Sequence, residues 1–135
     1  MSNPTLAELR AFFASDFPQS TVELVAVGDG TARGRQPIDE RHLRPGGTVS
    51  GPVMMATADA VAYAALLGKI GIVPLAVTSN LSISFFRAPK ADRALVADGR
   101  VIKAGRKLAF MEVWLTSEGD APPVAHATLT YAIPT

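Results

Sequence analysis

The chain has no cysteine. That excludes disulfides and thiolate chemistry, and it fits a cytoplasmic setting. Only two histidines are present, His42 and His126. Neither has a metal-ligand partner pattern, so no metal site is expected and both read as structural. The net charge is +1, which excludes a broad electrostatic pull toward nucleic acid or a membrane surface. The basic residues also lack the aromatic interleaving of a nucleic-acid surface. No run approaches the roughly 20 apolar residues that span a bilayer. The first residues lack a basic start, and 6–17 is interrupted by Glu8, Arg10 and Asp16, so no signal peptide is expected. There is no internal repeat, low-complexity tract, P-loop, dinucleotide fingerprint or Ser-His-Asp motif, and no cofactor is implied.

The gap in charge along the chain is more informative still. Between Arg44 and Lys69 the only ionisable carboxylate is Asp59. Residues 53–67 around it read as an Ala-rich helix, with Pro52 suited to its first turn. A helix apolar nearly all round is buried. A carboxylate on such a helix is costly to desolvate unless it is paired, protonated or facing a cleft. Positions three and four away are Met55, Ala56, Ala62 and Tyr63, which leaves no wide polar face. Asp59 therefore reads as a cleft residue, against the plainer alternative of a solvated one.

With 135 residues, 48% apolar and 19% charged, the chain is expected to form one globular domain, 1–135. Leu6, Leu9, Phe12 and Phe13 have the spacing of an amphipathic helix that ends before Pro18. Residues 21–27 and 31–36 read as strands joined by an Asp29-Gly30 hairpin turn. Residues 40–47 read as a loop broken by Pro45-Gly46-Gly47, and Gly68 and Gly71 mark the end of the central helix. Further strands are expected over 77–87, 94–103, 106–116 and 124–133. In the first of these, Leu81, Ile83 and Phe85 share one face and Asn80, Ser82 and Ser84 the other. Short connections make these four strands antiparallel neighbours in chain order. An antiparallel sheet needs one face covered, and the Ala-rich helix is the obvious cover. The expected architecture is α+β, with a mainly antiparallel sheet wrapped around a long helix.

Three segments together carry a family resemblance. They are Arg44-Pro-Gly-Gly-Thr-Val-Ser-Gly-Pro52 followed by Asp59, then Thr78-Ser-Asn-Leu-Ser-Ile-Ser-Phe-Phe-Arg-Ala-Pro89, then Gly105-Arg-Lys-Leu-Ala-Phe-Met-Glu-Val113. Over roughly 43–133 the chain resembles the hotdog-fold thioesterases of the PaaI-like (phenylacetate-degradation-type) group. That family carries an Asn, then a His-Gly-Gly at the helix start, then an acid about nine positions after the His. Here the Asn position falls on Arg44, the His on Ser50 and the second Gly on Pro52, while Gly51 and Asp59 match. The resemblance implies a hotdog fold, an acyl-CoA thioesterase and a homodimer or tetramer of dimers. The alternative it leaves is a hotdog protein that binds acyl-CoA or a related ligand without turnover.

The chemistry is consistent with that. A thioester carbonyl needs a donor for the charge that builds on its oxygen, and an N–H at a helix N-terminus supplies one. Gly51 sits there and lets a ligand approach the backbone. Asp59, two turns on, would act as general base on a water or attack the carbonyl itself, from the facing subunit in the family's dimer. Ser50 either caps the helix or orients water where the family uses His. Thr57 and Tyr63 either line the cleft or pack in the core, and Asn80 either bonds the acyl group or pairs across strands. Arg106 and Lys107 follow a Gly where family members often contact coenzyme A phosphates; Arg87, Lys90 and Arg93 form a second basic group. Each of these is otherwise an ordinary solvated charge.

Overall fold

A computed structural model describes residues 3–134. Helix α1 (Leu6–Asp16) starts at a capping box in which Thr5 and Glu8 satisfy each other's backbone N–H groups, at 3.0 and 3.1 Å. It buries Leu9 and Phe13 and is tied to the sheet by Arg10, whose Nε donates to the Leu24 carbonyl at 2.9 Å. Strands β1 (Glu23–Gly28) and β2 (Thr31–Gln36) form the expected hairpin. Gly30 takes a positive φ of 81° at its turn.

The expected loop before the central helix is more ordered than a loop. It holds a 3-10 turn (Glu40–His42) and a small hairpin of β3 (Leu43–Arg44) and β4 (Thr48–Val49). Pro45 and Gly46 occupy the middle of its turn; Gly46 has a φ of 98°, and the Gly47 N–H donates to the Arg44 carbonyl at 3.0 Å. That is the residue order a type II turn requires. The Ser50 N–H then donates to the His42 carbonyl at 2.9 Å and fixes where the helix begins.

Helix α2 (Gly51–Ile70) is longer than the expected 52–67, and against expectation its 20 residues are long and apolar enough to cross a membrane by length and composition, although most of that stretch is buried inside the fold. Gly68 does not end it; Gly71, with a φ of 94°, does. Gly68 has a packing role. A Cβ there would lie 2.7 Å from the Gly28 carbonyl oxygen and 2.9 Å from a Val27 methyl. Val61 is seated the same way, with Gly34 and Gly99 on the strands beneath it. Small residues on both partners let the helix approach the sheet closely. Ala58, Ala62, Ala65, Leu66 and Leu67 are all fully buried. Each buried Leu contributes about 1.5–3 kcal/mol of transfer free energy.

Strands β5 (Val77–Phe85), β6 (Leu95–Ala104), β7 (Leu108–Ser117) and β8 (Pro123–Ala132) complete one antiparallel sheet in the order β1-β2-β6-β7-β8-β5. The expected chain-order meander holds for β6, β7 and β8 only. β5 pairs with β8 at the far edge, and β6 pairs with β2. The reason lies in residues 86–94. They form no two-residue hairpin, hold a buried Pro89 and a turn at Ala91–Asp92, and carry the chain across the sheet. The sheet thus curls over both flanks of α2, with β5 left as an edge strand. Val77 is 55% and Phe85 48% exposed on that edge.

Candidate active site

Asp59 lies midway along α2, half-buried, where the helix passes the start of β5 and the end of β8. Thr78 and Tyr131 are direct neighbours across the β5–β8 ladder. Both donate to one carboxylate oxygen. Thr78 Oγ1 lies 2.6 Å and the Tyr131 hydroxyl 2.7 Å from Asp59 Oδ1. Among the described residues nothing donates to Oδ2. The Tyr131 hydroxyl also sits 3.1 Å from the Asp59 backbone oxygen. A phenol has one proton, and the shorter, charged acceptor is the better one.

Asp59 opens onto a cleft of about 500 Å³. One wall is α1 and its C-cap, through Phe12, Asp16 and Phe17; the other is Tyr63, Pro74, Val77 and Tyr131. Tyr63 stacks on Tyr131 with centroids 5.9 Å apart and planes 18° apart, and its hydroxyl donates to the Pro74 carbonyl at 3.1 Å. Burial, then the charge of Asp59, pushes the Tyr131 phenol well above its ordinary range. Burial, with Asp16 adding to it, pushes Tyr63 up as well. Both phenols therefore stay protonated and act only as donors.

Gly51 is the first residue of α2, with Ser50 as its N-cap. The Gly51 amide has no hydrogen-bond partner among the described residues, and Pro52 has no N–H to compete with it. The Ser50 hydroxyl accepts from the Val53 N–H at 3.4 Å, so it caps the helix. Phe85, at the end of β5, packs beside Gly51; its ring would be 3.4 Å from a Cβ there. The two ends of β5 thus lie beside two different parts of the helix. The start holds the Asp59 carboxylate and the end holds the free amide.

The other sequence candidates divide between these ends or fall outside both. Tyr63 lines the cleft. Thr57 is buried and donates to the Val53 carbonyl of its own helix at 2.8 Å, so it is core packing. Asn80 lies opposite Thr130, on the sheet face away from Tyr131 and the cleft, beyond a bulge that follows Thr78. Arg106 and Lys107 form the β6–β7 turn at the sheet end where β5 begins, next to the Leu108–Ala132–Val77 row. Arg87 and Lys90 lie at the opposite end, where β5 stops, and Lys90 pairs with Asp120 at 3.3 Å. Among the described residues no His/Cys/Asp/Glu cluster could hold a metal ion.

Thr78 and Tyr131 are the site residues the sequence reading passed over. Tyr131 carried one usable signal. It falls on the inward face of a strand with Leu129, and a buried phenol needs a hydrogen-bond partner.

Residues 46–124 match the family model of the thioesterase superfamily. The chain belongs to the thioesterase superfamily. A proposed thioesterase from Silicibacter sp. TM1040 is 44% identical, with 97% of this chain and 92% of that one covered and a TM-score of 0.89. A hypothetical thioesterase from Streptococcus pneumoniae TIGR4, solved with coenzyme A, is 21% identical over 93% of this chain and 96% of that one, with a TM-score of 0.78. The PaaI protein of the E. coli phenylacetic acid degradation operon is 17% identical over 94% of both chains, with a TM-score of 0.78. The last two likenesses concern the fold alone. No curated protein matches the chain. As a thioesterase, this chain has the hotdog architecture that the sequence led one to expect: six antiparallel strands around one long helix.

Proposed function

We propose that this thioesterase hydrolyses an acyl-CoA in a cleft shared by two copies of the chain. The observation that carries this reading is the Asp59 carboxylate, held through Oδ1 and open through Oδ2 in a cleft lined by aromatic rings. A free N–H stands at the N-terminus of the same helix. An edge strand that exposes apolar residues is a template for pairing with another strand. If β5 pairs antiparallel with its own copy about a two-fold axis, the start of one strand lies beside the end of the other. Asp59 of one copy then faces the Gly51 amide of the next. The basic turn at 106–107 of one copy lies near Arg87 and Lys90 of the other, where the phosphates of coenzyme A would sit. The assembly is a homodimer or a tetramer built from such dimers.

The reaction follows from these groups. Water adds to the thioester carbonyl carbon, and the Asp59 carboxylate takes its proton through Oδ2. The Gly51 N–H and the positive end of the helix dipole stabilise the oxyanion. The C–S bond then breaks, and the thiolate leaves with the electron pair and recovers the proton. If Asp59 attacks directly, the same oxygen displaces the thiolate as the C–S bond breaks, and water then opens the mixed anhydride to the free acid and the Asp59 carboxylate, its proton going to the thiolate. Both routes need an ionised, accessible oxygen at this position.

One observation favours a second reading, a hotdog protein that binds acyl-CoA without turnover. Ser50, at the family's His position, is engaged in capping, and the family's Asn position is an exposed Arg44. Steady-state assays with hexanoyl-CoA and phenylacetyl-CoA separate the two. The hydrolase reading expects turnover, with Asp59→Asn lowering kcat by about 10²–10⁴. Binding without turnover by the parent protein would favour the second reading, and equal turnover by the Asn variant would remove Asp59 from the chemistry.

A further inference from the structure

We infer that Tyr131 is a positioning residue for the reaction: with Thr78 it fixes Asp59 through Oδ1 and so assigns the reactive role to Oδ2. This rests on the proposed hydrolase reading of Asp59. Three observations support it. The two donors come from neighbouring positions on adjacent strands, so the β5–β8 register delivers both to one oxygen. Tyr131 is only 3% exposed and stacks on Tyr63, so its hydroxyl has no room to swing away. The phenol stays protonated across the working range, so the bond persists whenever Asp59 is ionised. The result is a carboxylate with one oxygen immobilised and the other free, whether it serves as base or nucleophile. Hydrogen bonds that a carboxylate accepts favour its charged form in general, so loss of a donor is read in the acid limb of a pH profile. The other titratable groups facing this cleft are Tyr63 on α2 and Asp16 on α1.

The test is the acid limb of kcat/KM for hexanoyl-CoA and phenylacetyl-CoA. Tyr131→Phe keeps the buried, stacked ring and removes only the hydroxyl. Its acid limb should move to higher pH by about one unit, with kcat more affected than KM. A residue that merely filled space would alter stability without moving that limb. A second probe leaves the side chain in place. The chain has two tyrosines, and Tyr63 bonds Pro74 rather than Asp59. Global replacement by 3-fluorotyrosine makes the Tyr131 phenol a stronger donor, so the acid limb should move to lower pH, opposite to Phe. Superimposable profiles for the parent and both altered proteins would overturn the inference. Asp59→Asn in parallel tells the two failures apart. If the Asn variant is inactive while the profiles coincide, only the role of Tyr131 is lost. If the Asn variant is fully active, the reading of Asp59 fails first.

Discussion

Gly51 and Asp59 lie on one helix with two turns between them, so about 12 Å of axis separates the amide from the carboxylate. One thioester carbonyl cannot sit within about 3 Å of both. The helix therefore carries the two groups at separate places along its length. Each is adjacent to one end of the exposed strand β5.

The role of the Gly51 amide is testable by removing its N–H; the added ring starts from a Cβ 3.4 Å from Phe85, an ordinary contact distance. Gly51→Pro deletes the N–H and keeps a residue suited to a first helical turn. Ser50 already has the extended backbone, φ −74° and ψ 152°, that a following proline requires. The variant should fold as the parent does and lose about 10²–10³ in kcat. Unchanged kcat would show that the oxyanion is held elsewhere.

Packing at Gly68 gives a stability prediction. Ala there gains about 1 kcal/mol of helix propensity. It also places a Cβ 2.7 Å from the Gly28 carbonyl oxygen, a backbone atom that cannot rotate away. Overpacking of this kind typically costs 1–3 kcal/mol. Gly68→Ala should lower stability by a net of up to about 2 kcal/mol, read as a lower denaturation midpoint at an unchanged denaturant slope. A midpoint at or above the parent's would mean that the helix and β1 can separate freely.

How much of this was legible in the sequence depended on whether the signal was local. The buried helix showed itself as an uncharged Ala-rich run, and the hairpin turns at Gly30 and Gly119, both at a φ of 81°, were marked by Asp-Gly and Glu-Gly-Asp. Asp59 stood out because nothing near it in sequence could satisfy it. Its donors did not stand out, because Thr78 and Tyr131 are 19 and 72 residues away and meet it only through strand pairing. The pairing of β5 with β8 was illegible for the same reason: periodicity shows that a strand exists, not which edge it takes. Gly68 was read as a stop signal, although its true constraint is a backbone oxygen on another element. Asn80 follows a bulge that the alternation could not reveal.

The exposed basic residues should act on the nucleotide end of the substrate. Arg106→Ala with Lys107→Ala removes charge from two exposed side chains and leaves the backbone hydrogen bonds of the turn in place. KM for acyl-CoA should rise several-fold, and the rise should shrink as salt is added. A short thioester that lacks the nucleotide should be hydrolysed as before. Equal loss on both substrates would assign these residues to the fold and place the phosphates elsewhere.

The shared cleft is tested most directly by mixing two inactive proteins. Asp59→Asn keeps the Gly51 amide, and Gly51→Pro keeps the Asp59 carboxylate. When they are unfolded and refolded together, half of the dimers formed at random contain one of each chain, and each of these has one intact site and one doubly defective site. The account predicts that the mixture recovers about a quarter of the parent activity, while either variant refolded alone stays inactive. A mixed dimer that forms and remains as inactive as its components would contradict it, because Gly51 and Asp59 would then have to serve from the same chain.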